Sequence, residues 1–172
     1  MKIALFYGST TGNTEDVAER IQRLLGSDQV ALFDIADEPL SLVEQYSHVI
    51  MGIPTWDYGE VQSEWEDVWD DIDQLDFSGK QVALYGLGDQ IGYGEWFVDA
   101  MGLLHDKLVA QGASMVGYWP VAGYEFTASK ALTGSGEQFV GLAIDEDSQS
   151  ELTEERVELW VAQLTREFGL DS

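Results

Sequence analysis

Three short stretches carry the side chains best suited to holding a small molecule: Ser9-Thr10-Thr11-Gly12-Asn13-Thr14, Pro54-Thr55-Trp56-Asp57-Tyr58-Gly59 and Gly86-Leu87-Gly88-Asp89-Gln90-Ile91-Gly92-Tyr93-Gly94. The first sets four hydroxyls and a glycine directly before a helical pattern. Backbone N–H groups at a helix start are unpaired and the helix dipole favours negative charge, so the chemistry offered is that of a phosphate cradle. No Lys-Ser or Lys-Thr pair follows the glycine, which disfavours a P-loop nucleotide site. Arg20 and Arg23 fall about two turns into the helix, so the cradle is expected to be charge-neutral. An ordinary hydroxyl-rich N-cap would look the same.

The second and third stretches each place an aromatic among turn residues. Trp56 stands between turn formers at the end of an apolar run, where an aromatic suggests a ring-stacking wall. Tyr93 closes a glycine-rich turn whose third glycine comes one residue late for G-x-G-x-x-G, so the dinucleotide fingerprint fails. Taken singly, Trp56 and Tyr93 read as packing residues. Beside a phosphate cradle they read as the two walls of a ring site. His48 and His105 belong to no nucleophile–base arrangement, and the chain has no cysteine, which excludes disulfides, thiolate catalysis and thiolate-ligated clusters. No catalytic acid or base and no metal ligand are assigned, and a redox role would need a bound cofactor.

The elements that position these stretches alternate. Lys2 to Tyr7 reads as a strand, followed by a helix with Val17, Ile21, Leu24 and Leu25 on one face. Gln29 to Phe33 is a second strand, Leu40 to Tyr46 a helix, His48 to Gly52 a third strand and Gln81 to Gly86 a fourth. Phe97, Met101, Leu104 and Leu108 recur at helical spacing. Ser114 to Tyr118 and Phe139 to Ile144 are strand-like and separated by a stretch too long for an ordinary loop, as if an insertion split one strand. Thr153 is placed to cap a last helix whose apolar stripe is Val157, Trp160, Val161, Leu164 and Phe168. Alternating strands and helices imply an α/β fold, a doubly wound parallel sheet of five strands with helices on both faces. Ligands of such sheets sit beyond the carboxyl ends of the strands, where the crossover direction reverses.

The 172 residues, with no repeat or linker-like tract, are expected to form a single domain over 1–172. The N-terminal apolar run is broken by Gly8, too early for a signal peptide or membrane span, so a cytoplasmic location is expected. Thirty-two acidic against eight basic side chains give a formal net charge of -24. That surface repels nucleic acid and anionic membrane and attracts basic protein faces; salt tolerance explains the charge equally well. Glu64, Glu66, Asp67, Asp70 and Asp71, interleaved with Trp65, Val68 and Trp69, read as a solvated helix with one apolar face.

Over essentially its whole length the chain resembles the flavodoxins, which are themselves the standard example of ligand placement in a sheet of order 2-1-3-4-5. Ser9 to Thr14 looks like the family's phosphate loop, the Thr55–Gly59 segment like the loop whose Trp covers the inner flavin face, and Gly88 to Tyr93 like the loop whose Tyr covers the outer face. The interrupted last strand, with Gly123-Tyr124 in the insertion and Phe139 to Asp147 after it, resembles the long-chain subgroup. The resemblance implies a monomeric one-electron carrier with non-covalently bound flavin mononucleotide (FMN). Its implied partners are basic-faced redox proteins, such as a flavodoxin/ferredoxin-NADP reductase, and acceptor enzymes. It also implies that Asp89 meets flavin N3–H, that backbone groups around Pro54, Trp56, Leu87 and Gly88 serve the remaining polar atoms, and that Asp147 approaches the ribityl chain. Asp57 departs from the glycine found in several members. An FMN-dependent quinone reductase is the enzyme alternative, obstructed by a covering Tyr93. A receiver domain is disfavoured because Tyr7-Gly8-Ser9 offers no carboxylate at the end of the first strand.

Overall fold

The computed structural model describes residues 2–8, 12–56 and 58–170. The strands are β1 (Ile3–Tyr7), β2 (Val30–Asp34), β3 (His48–Trp56), β4 (Glu60–Val61), β5 (Gln81–Leu87), β6 (Ser114–Val116), β7 (Trp119–Pro120), β8 (Gln138–Phe139) and β9 (Leu142–Ile144). The helices are α1 (Asn13–Leu25), α2 (Ser63–Asp67), α3 (Asp99–Ala110) and α4 (Thr153–Glu167), with short 3-10 segments between. The main sheet runs β2-β1-β3-β5 in parallel, and its fifth position is shared. β6 pairs with Gln81–Ala83, the first half of β5, and β9 with Tyr85–Leu87, its second half. The edge strand is therefore built from both sides of the insertion, in the expected order 2-1-3-4-5.

The central strands β1 and β5 and most of β3 bury both faces by alternation. Phe6, Met51, Ile53 and Leu84 point to one side, where Met101, Leu104 and Leu108 of α3 and Trp65 cover them. Leu5, Ile50, Ala83 and Tyr85 point to the other, beneath Val17 and Ile21 of α1 and Val157, Trp160 and Leu164 of α4. Helices thus cover both faces, and α1 packs against α4. No described helix is long and apolar enough to cross a membrane.

Several elements differ from their sequence patterns for identifiable reasons. β3 continues through Trp56 because β4 folds back antiparallel and pairs Thr55 with Val61 and Trp56 with Glu60. The acidic stretch is not one solvated helix: α2 ends at Asp67, a 3-10 segment spans Trp69–Gln74, and Trp65 is fully buried. The Leu40–Gln45 segment is also 3-10, leaving α1, α3 and α4 as the crossover helices that carry the core. Phe97 is buried but extended, just before α3, and Leu24 is 47% exposed, the buried face of α1 being Thr14, Val17, Ala18 and Ile21. Phe139 leaves the main sheet to pair with Trp119, so the strand expected over 139–144 is two pieces. Thr153 is the first helical residue rather than the cap, because a 3-10 turn over Ser150–Leu152 leads directly into α4.

Where the crossover direction reverses, the carboxyl end of β1 meets the middle of β3 at two glycines, Gly8 and Gly52. A Cβ on Gly52 would stand 2.1 Å from Cζ of the fully buried Tyr85. The Tyr85 hydroxyl donates to the Thr14 carbonyl at 2.9 Å, tying the first turn of α1 to the centre of the sheet. The Trp65 indole N–H donates to the Gly52 carbonyl at 2.9 Å, and a Cβ on Gly8 would lie 2.8 Å from that indole. Gly52→Ala is expected to destabilise the protein by at least about 3 kcal/mol, the upper end of the range for overpacking. Urea denaturation measures this, and an unchanged midpoint would show that Tyr85 can move aside.

Candidate functional site

Beyond the carboxyl ends of β1, β3 and β5 lies a cavity of about 310 Å³. Its walls come from four segments. The start of α1 contributes Asn13 and Thr14, and the end of β3 contributes Pro54, Thr55 and Trp56. The segment after β5 contributes Leu87, Gly88, Asp89, Tyr93 and Trp96, and the segment after β9 contributes Glu146 and Asp147.

Gly12 precedes α1 in the left-handed region at φ 93 and has no side chain with which to cap the helix, so first-turn N–H groups border the cavity uncapped by it. Ser9, Thr10 and Thr11, expected in the phosphate cradle, lie outside the described residues, as does Asp57. Trp56 and Tyr93 are both partly exposed wall residues. Thr55 supplies a hydroxyl that already accepts the Ala100 N–H at 3.0 Å and still has a proton to donate.

Asp89 is committed largely to its own loop. Its Oδ1 accepts from the N–H groups of Ile91 at 3.1 Å and Gly92 at 2.8 Å, and from the Ser148 hydroxyl at 3.3 Å. An aspartate that folds back on its following amides in this way shapes a turn. Asp145, fully buried and absent from the sequence expectations, links the third and fourth walls. Its carboxylate accepts the N–H groups of Gln90 at 3.0 Å, Asp147 at 3.0 Å and Ser148 at 2.8 Å. Gln90 in turn accepts the Glu125 N–H, which joins the insertion to the same network. The Asp147 carboxyl is held above its ordinary range by burial and then by the negative charges of Asp89 and Asp145. The described lining residues include three carboxylates and no basic side chain.

Tyr58 and Gly59, expected at the site, do not line the cavity. They lie between β3 and β4, with Gly59 at φ 87 in the left-handed region just before β4. Tyr58 lies against Trp96 and Tyr93. Trp96 and Glu146 line the cavity without having been singled out. The available signals were an aromatic three residues after Tyr93 and an acid within the Asp145-Glu146-Asp147 run.

Behind the hairpin the first turn of α3 acts as a backstop. Val98, before it, is the one non-glycine residue at positive φ among those described, a strained conformation costing about 1–3 kcal/mol. It introduces Asp99, 1% exposed, whose Oδ1 accepts the Lys130 N–H at 2.7 Å. A Cβ on Gly59 would stand 2.8 Å from Asp99 Oδ2.

The matches to known proteins agree with this geometry. The flavodoxin family model matches residues 5–160. The chain belongs to the flavodoxin family. It is 53% identical over 169 residues to flavodoxin 2 of Escherichia coli K12, covering 98% of each chain. It is 51% identical over 170 residues to the flavodoxin of Synechococcus elongatus, covering 98% of this chain and 99% of that one. Its fold superposes on the crystal structure of Fusobacterium nucleatum flavodoxin bound to FMN with a TM-score of 0.88 at 29% identity, covering 96% of this chain and 98% of that one. The chain's length agrees with the long-chain subgroup. Flavodoxins are electron-transfer proteins and not enzymes, so the quinone-reductase and receiver-domain alternatives give way.

Burial raises the Asp99 carboxyl against the opposing pull of the Lys130 N–H and the Lys130 charge. Because the folded value lies above the unfolded one, the folded state binds more protons across the interval between them. This contribution to stability is present in full below the unfolded value and is lost as pH rises through the folded value. Asp99→Asn is expected to abolish that slope. Urea midpoints of the two proteins should therefore diverge across this window, and a constant difference would put Asp99 at its ordinary value.

Proposed function

We propose that the cavity holds one FMN non-covalently, and that the chain works as a single FMN-binding domain carrying one electron at a time, at low potential, between a reductase and acceptor redox enzymes. The observation that carries this reading is the convergence of two aromatic walls and a helix N-terminus in one cavity at the strand ends. Flat walls suit a ring system, and a helix start suits a phosphate. Once bound, FMN supplies the one-electron chemistry that side chains lack.

In this reading the isoalloxazine lies between Trp56 and Tyr93, the phosphate sits at Ser9 to Thr14, and Thr55, Asp89 and Asp147 with the neighbouring backbone orient the polar edge and the ribityl chain. Asp57 is read as a further contact of the same site, and Pro54, Leu87 and Gly88 complete the walls. The carboxylates set the electrostatic bias: one about 8 Å from an added negative charge disfavours it by roughly 1 kcal/mol at an effective dielectric near 40. Several together, with no basic side chain among the described wall residues, favour a low potential.

The partners in this reading are proteins with basic faces, such as an NADP-dependent flavodoxin or ferredoxin reductase, and a cytoplasmic monomer is the working unit. The net charge of -24 supports this because little of it is offset locally. Lys107 pairs with Asp73 at 2.9 Å, whereas Lys2, Lys80, Arg156 and Arg166 donate to backbone carbonyls.

The flavin reading is tested on the apoprotein by flavin fluorescence quenching. FMN is expected to bind far more tightly than riboflavin, and equal dissociation constants would overturn the phosphate assignment. Electron transfer with a basic reductase is expected to slow as salt shortens the Debye length from about 10 Å at 0.1 M to about 3 Å at 1 M. Stopped-flow rates that stay flat over that range would contradict electrostatic docking.

A further inference from the structure

Trp96 is the aromatic cavity wall that no sequence pattern singled out, and it is in contact with the hairpin. Tyr58, at the hairpin tip, meets Trp96 edge-to-face with ring centroids 4.9 Å apart at 72°, and meets Tyr93 at 6.2 Å and 76°. Tyr58 thus spans from the hairpin carrying Trp56 to the turn carrying Tyr93. It is 66% exposed, so burial alone does not hold it there. The backbone beside it is seated on the same indole, since a Cβ on Gly59 would lie 3.3 Å from Trp96 Cδ1.

The two loops are anchored unequally. The turn carrying Tyr93 is held by backbone bonds from Tyr93 to Asp89, from Trp96 to Tyr93, and from both Thr127 and Ala128 to Gly94. Among the described residues the hairpin's own ladder is two residue pairs long, a marginal structure by itself, with the Ala100 N–H donating to Thr55 Oγ1 at its base. A flat ring held between the two walls leaves when one wall moves, and the hairpin is the more weakly held. We infer that Trp96 and Tyr58 form an aromatic clasp across the cavity mouth that sets how fast FMN is released, Trp96 being a positioning residue that acts through Tyr58. The inference rests on the FMN reading above.

The test compares wild type, Trp96→Ala, Tyr58→Ala and the double variant. FMN dissociation from each is followed by stopped-flow fluorescence. Each single variant is expected to release FMN about fivefold faster, the scale of one edge-to-face aromatic pair, and the double variant no faster than either single. Trp96→Phe, which keeps a ring, is expected to stay close to wild type. Effects that multiply in the double variant would overturn the clasp, because Trp96 would then act on the flavin directly; unchanged release rates would overturn it too. A flavin-free readout comes from amide exchange in the apoprotein. Val61 and its neighbours in the hairpin are expected to exchange faster in Trp96→Ala while β5 is unchanged, and equal hairpin exchange in the two proteins would count against the clasp. A wild-type apoprotein that fails to quench FMN would sink the flavin reading itself, while the exchange comparison would still judge the contact between the loops.

Discussion

Gly52 is the point on which the architecture of the site depends. Its missing side chain lets the Tyr85 ring cross β3 where the sheet changes crossover direction, and its carbonyl receives the Trp65 indole. Tyr85 then reaches the first turn of α1 through Thr14, so the helix start that borders the cavity is held by a hydrogen bond from the sheet interior. Buried phenol and indole groups must find partners, and here both partners are backbone carbonyls close to the site. One glycine thereby couples core packing on both faces of the sheet to the position of a helix terminus.

Around that centre the loops are tied by carboxylates that face inward. Asp145 accepts N–H groups from two different loops, Asp89 holds its own turn, and Asp99 joins the insertion to the start of α3. Carboxylates accept several N–H donors at once, and bonds to charged acceptors are the stronger kind. A chain with 32 acidic residues therefore uses part of that excess as internal scaffold, while the rest gives the surface its field. The insertion is more than a surface loop, because Glu125, Lys130 and Tyr124 bond to the Asp89 loop, to Asp99 and to the edge strand.

Local pattern determined a good deal of this protein. Short apolar runs such as Ile3–Tyr7 and residues 82–87, bounded by turn residues, suit strands covered on both sides, and the 3.6-residue stripe of Val157, Trp160, Val161 and Leu164 suits a helix lying on them. Their alternation left the parallel doubly wound sheet as the natural solution, and the glycine- and hydroxyl-rich segments at strand ends marked where a ligand site would form. What depended on partners distant in sequence was decided by tertiary structure alone. β3 extends through Trp56 because Glu60 and Val61 return to pair with it, and Phe139 and Leu142 part company because one finds Trp119 and the other Tyr85. Trp96, Asp145 and Asp99 carry no local signature; an indole or a carboxylate reads in sequence as core or surface until the folded chain sets it against Tyr58, Gln90 or Lys130. Spacing along the chain records which residues share an element, whereas contacts between loops arise only when separate elements are brought to the same end of the sheet.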